Sequence, residues 1–70
     1  MYDKEKLIKE FLDIVIRNVE GAAKHGANYE NVDVPDGLTR ADVEPLLKNA
    51  FPECDVKWKW FIQSYQIRWR

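Results

Sequence analysis

The first half of the chain carries a helical stripe. Ile8, Phe11, Leu12, Val15, Ile16, Val19, Ala22 and Ala23 recur at steps of three and four, the spacing that lines one face of an α-helix. Lys6, Glu10, Asp13, Arg17, Glu20 and Lys24 fall on the opposite, wet side. Asp3 is placed as N-cap, with Tyr2 and Leu7 positioned as a hydrophobic staple. Gly26 is placed just past the end, where Lys24 and His25 face the last carbonyls. The pattern predicts a helix over about residues 4–25. Leu7 and Ile14 sit off the stripe, about 100–120° from its centre at 100° per residue. One reading makes them a self-association edge for a homodimer. The plainer one is a helix buried broadly on one flank, since isolated exposed apolar side chains are ordinary.

After a polar, turn-rich stretch, Val32 and Val34 alternate with Asn31 and Asp33, which predicts a short strand over about 30–34. Pro35-Asp36-Gly37 reads as a β-turn with Pro35 in its second position. Thr39 and Asp42 then form a capping box flanked by Leu38 and Val43. Val43, Leu46, Leu47, Ala50 and Phe51 continue at helical spacing, predicting a second helix over about 40–51. Pro45 lacks an N–H and opposes the carbonyl of Ala41, so a 3₁₀ turn or kink is expected there. Pro52 ends the helix.

The last seventeen residues alternate with period two, in two runs of opposite phase. Val56, Trp58, Trp60 and Ile62 share one side of the first run; Tyr65, Ile67 and Trp69 share one side of the second. Two strands over about 55–61 and 64–70 follow. Pairing Trp60 with Tyr65, Trp58 with Ile67 and Val56 with Trp69 sends all the large rings inward. It also sets Lys57 against Arg68, Lys59 against Gln66 and Asp55 against Arg70. The connection Phe61-Ile62-Gln63-Ser64 contains none of the usual turn residues. The expected fold is α+β: two amphipathic helices on one face of a small antiparallel sheet, in the order α-β-α-β-β.

Charge sharpens this picture. The stretch from Cys54 to Arg70 has a net charge of +3 and holds all three tryptophans, while the 53 residues before it sum to −4. Lys57, Lys59, Arg68 and Arg70 are therefore the candidate partner-binding face, and Phe61 and Ile62 at the expected tip are a candidate hydrophobic anchor. Most charge runs are only solvated faces, and edge lysines also guard against aggregation. With a net charge of −1 and a pI near 5.7, the chain lacks the basic excess of a general nucleic-acid binder.

No catalytic constellation is legible. His25 is the sole histidine and Cys54 the sole cysteine, so neither a metal-ligand spacing nor an internal disulfide is encoded. The three glycines match no phosphate or dinucleotide fingerprint. No enzyme activity, cofactor or metal is expected. The lone thiol and the absence of a secretory or membrane-spanning pattern suggest a cytoplasmic protein without a membrane partner. The expectation is a small protein–protein interaction module, such as an inhibitor or adaptor docking on an acidic surface. A nucleic-acid-binding domain using the basic hairpin is the alternative.

Overall fold

The computed structural model describes residues 3–69, so the roles expected of Tyr2 and Arg70 lie outside the described residues. The elements are α1 (Lys4–Lys24), β1 (Tyr29–Asp33), α2 (Arg40–Ala50), β2 (Asp55–Lys59) and β3 (Ser64–Arg68). The strands form one antiparallel sheet in the order β1-β3-β2. This is the α+β arrangement that the hydrophobic pattern predicts.

Both helices start where their caps dictate. The Asp3 carboxylate accepts from the Lys6 N–H at 3.2 Å, and α1 closes on His25 with Gly26 beyond it at φ 87. The capping box of α2 is complete. Asp42 N–H donates to Thr39 Oγ1 at 3.3 Å, and Thr39 N–H donates to the Asp42 carboxylate at 3.0 Å. Beside the α-type bond from Val43 N–H, the Thr39 carbonyl also accepts a 3₁₀-type bond from Asp42 N–H. The element nonetheless stays α-helical through Pro45. The turn after β1 differs by one residue from expectation. Leu38 N–H bonds the Pro35 carbonyl at 3.2 Å, making Pro35 the first residue and Gly37, at φ 94, the third. Glycine is needed there because a type II turn demands positive φ at that place.

The core lies between the helices and one sheet face. Phe11 and Val15 of α1, Val43 and Leu47 of α2, and Val32, Tyr65 and Ile67 of the sheet are buried together with Leu38. Val56, Trp58 and Trp69 pack against them. α1 packs chiefly on β1 and α2 on β2. Among the described residues, no helix covers the opposite sheet face.

The hairpin register differs from the expected one by two residues. Val56 opposes Ile67, Trp58 opposes Tyr65, Lys57 opposes Gln66, Lys59 opposes Ser64 and Asp55 opposes Arg68. A slip of two preserves which face each side chain takes, because strands repeat every second residue. It does move the turn. β2 stops at Lys59, four residues from Trp60 to Gln63 form the loop, and Trp60 leaves the core for the tip at 74 % exposure.

Candidate docking tip and outer sheet face

The tip is built by local backbone bonds rather than by turn-forming residue types. Ile62 N–H donates to the Lys59 carbonyl at 3.2 Å, closing a β-turn. Gln63 then enters the left-handed region at φ 54, a conformation that costs an L-residue roughly 1–2 kcal/mol. Its side-chain amide donates to the Trp60 carbonyl at 2.8 Å, and Ser64 Oγ lies 3.2 Å from the Ile62 carbonyl. Ser64 Oγ also bonds the Asp33 carboxylate across the β1–β3 pair. The loop is thus tied at both ends.

These bonds hold three consecutive large apolar side chains outward. Trp60, Phe61 and Ile62 are 74 %, 66 % and 43 % exposed. The Trp60 and Phe61 rings meet edge to face, with centroids 5.9 Å apart. Phe61 and Ile62 therefore lie at the tip, as their sequence position suggests. Trp60, read from its alternation as a core residue, is the most exposed of the three. The missing turn residues were the one signal that the loop could begin before Phe61.

The basic face is more dilute than its sequence implies. Antiparallel register sets three rows across the uncovered side: Tyr29–Arg68–Asp55, Asn31–Gln66–Lys57 and Asp33–Ser64–Lys59. Lys57 and Arg68 are not opposed, which removes the expected like-charge pair. Asp55 sits across from Arg68 and also lies 3.5 Å from the Lys57 ammonium. Among the described residues the face thus holds three cations and two carboxylates. Arg70 lies outside the described residues.

A third cluster escapes sequence reasoning because its members meet only through the fold. Arg40, the first residue of α2, lays its guanidinium 4.0 Å from the centre of the Trp58 ring. Trp58 in turn meets Tyr65 edge to face at 5.0 Å. The buried Tyr65 hydroxyl donates to Glu44 at 3.0 Å and lies 3.4 Å from the Arg40 carbonyl. Glu44 is held below the usual carboxylate range by that Tyr65 bond first, and by Lys48 at 3.3 Å second. A shallow concavity of about 250 Å³ opens beside Arg40, Glu44, Pro45 and Tyr65. Every polar group named here already has a partner, so the cluster reads as a clamp between α2 and the hairpin.

Leu7 is half-buried and Ile14 is 56 % exposed; both line a concavity of about 470 Å³ with Phe11 and Pro35. His25 caps α1 in solvent. Cys54 is a half-buried free thiol, pushed above its ordinary pKa by burial and then by Glu53. Among the described residues, no group of three or more His, Cys, Asp or Glu is arranged to hold a metal ion. Nor is any helix among them long and apolar enough to cross a membrane. No family model, characterised protein or solved structure matches this chain.

Proposed function

We propose that this protein is a non-enzymatic interaction module that docks its hairpin tip into a larger protein, as an inhibitor or adaptor acting in a reducing compartment such as the cytoplasm. The observation that carries this reading is the contiguous exposure of Trp60, Phe61 and Ile62 on a hydrogen-bonded loop. Aromatic anchors dominate protein interfaces, and a preformed loop loses little conformational freedom on binding. Lys57 and Lys59 follow the tip along β2, so the socket that fits is apolar with an acidic rim. Such charge complementarity sets orientation and on-rate more than affinity.

The test is affinity capture from host extract with the native chain and with Trp60→Ala, followed by titration of the recovered protein. Loss of a central aromatic anchor typically costs at least about 2 kcal/mol, or about thirty-fold in Kd. Equal binding by a Trp60→Ala, Phe61→Ala double variant refutes the tip as the docking element. The open Trp60 ring beside two lysines also meets the requirement for stacking on an unpaired base. That supports single-stranded nucleic acid as a second reading. Quenching of Trp60 emission by a short oligonucleotide at low salt, absent in Trp60→Phe, would select it.

A further inference from the structure

We propose a second docking site on the opposite edge of the sheet: β1 accepts one extended segment of a partner protein as a fourth strand, with an apolar and a basic side chain two residues apart on its helix-facing side. The Trp69 N–H donates to the Asn28 carbonyl at 3.0 Å, which makes Asn28 a hydrogen-bonded position of the β1–β3 ladder. Antiparallel pairs alternate, so Glu30 and Val32 also turn their backbone groups toward β3. Tyr29, Asn31 and Asp33 turn theirs outward from the free edge.

The two edges are not equally protected. β2 carries Lys57 and Lys59, residues that discourage strand addition. β1 has no lysine or proline. Its one outward carboxylate, Asp33, is engaged by Ser64 inside the sheet. Above that edge, α1 forms a notch of about 330 Å³ in which Ile14 and Phe11 stand over Asn31 and Val32. It adjoins the larger concavity that holds Glu10, Asp13 and Arg17. Those three charges make no ion pair among the described residues.

Geometry selects the occupant. Strands lie about 4.8 Å apart, and α1 packs over β1. A second copy joined through β1 would bring two α1 helices to roughly 5 Å, about half the 8–10 Å that packed helices need. A lone extended segment brings no helix with it. On the helix side, its residue opposite Val32 meets Ile14, which calls for an apolar side chain. The residue opposite Glu30 meets a carboxylate, which calls for a cation. Glu10, Asp13 and Asp33 outnumber Arg17 in the linings of the two concavities and set the same sign. Main-chain bonds supply affinity in such strand addition, and alternate side chains supply specificity.

The probe is an end-blocked, fluorescein-labelled peptide of about six residues, in which valine and lysine take turns at every second position with threonine between them, alongside one with glutamate in place of lysine. The lysine peptide is expected to bind in the micromolar range and slow amide exchange at Tyr29, Asn31 and Asp33. Asn31→Pro removes an outward donor without breaking the ladder to β3 and should weaken binding at least tenfold. Ile14→Lys, on the exposed flank of α1, should do the same and serves if the proline variant folds poorly. Trp60→Ala should leave peptide affinity unchanged, which separates this site from the hairpin tip. Three results would each overturn the proposal: no change at the three amides with millimolar lysine peptide, equal binding of the glutamate peptide, or sedimentation as a dimer that already protects these amides.

Discussion

Trp58 and Trp60 stand two residues apart on one strand-like run, and only the hairpin register decides which of them supports the fold. Trp60 is 74 % exposed. A large ring buries about 150–250 Å² when fully covered. At about 25 cal/mol per Å², the covered quarter of Trp60 contributes at most about 1–1.5 kcal/mol. Trp58 is half-buried against the core, meets Tyr65 edge to face at 5.0 Å and lies under the Arg40 guanidinium. Truncating it removes apolar burial, a ring contact of about 0.5–1.5 kcal/mol and a cation–π contact of about 0.5–1 kcal/mol. The expected total is about 3 kcal/mol, within the usual cost of aromatic truncation. A domain of this length often holds only about 3–5 kcal/mol in reserve, so Trp58→Ala should remove most of the margin while Trp60→Ala should not. At about 4–8 °C per kcal/mol, Trp58→Ala should lower Tm by more than about 12 °C. Trp60→Ala should lower it by less than about 12 °C. Urea and thermal unfolding followed by far-ultraviolet circular dichroism give both values without relying on the deleted fluorophore. Equal losses for the two variants would mean that Trp60 packs inward, and the tip would no longer be a docking element.

Local geometry sets four further outcomes. Gly26 sits at φ 87 with open space around a would-be Cβ, so Gly26→Ala should cost about 1 kcal/mol in urea unfolding, from backbone strain alone. Thr39→Ala removes the side-chain arm of the capping box, leaving the backbone N–H bond to Asp42 in place, and should cost about 1 kcal/mol. Asp42 is held below the usual carboxylate range, first by the Lys4 ammonium at 2.9 Å and then by the Thr39 N–H. A depressed carboxylate stabilises the fold above its unfolded pKa and withdraws that support as pH falls through the folded value. Acid unfolding curves should therefore steepen below about pH 4, and Lys4→Ala should flatten that limb; an unchanged limb would refute the linkage. Cys54, with its pKa raised by burial and Glu53, should react with iodoacetamide at pH 8 more slowly than a free thiol. A faster reaction would mean that the thiol is not packed against the core.

The helices were legible because caps and three-to-four-residue spacing are local signals, and Asp3, Thr39, Asp42 and Gly26 all act where their positions imply. The existence of β2 and β3 was equally local. Their register was not. Sliding Val56 from Trp69 to Ile67 keeps every side chain on its face, so alternation cannot distinguish the two pairings. What decides is the bond from Ile62 to Lys59 together with a left-handed Gln63, and no residue type in the loop announces either. The same blindness hid the dilution of the basic face. Asp33 reaches Lys59 only across β3, and Asp55 faces Arg68 only in the observed register. Arg40 stacking on Trp58 joins residues eighteen positions apart in sequence, which no periodicity could pair.

The tip also bears on why this chain tolerates a poor turn. A favoured two-residue turn such as Asn-Gly would close β2 and β3 without left-handed strain in a residue like Gln63 and without exposed rings. Contiguous exposed apolar surface invites aggregation unless it has a partner, and a short chain has little apolar area to spare for anything outside its core. Here three of its largest side chains are held in solvent by bonds from Gln63 and Ser64, next to lysines that keep the neighbouring edge soluble. Folding stability does not account for that allocation. The proposed docking role would account for it if the socket is apolar and its rim acidic, because the same lysines that repel strand addition would then orient the docked tip.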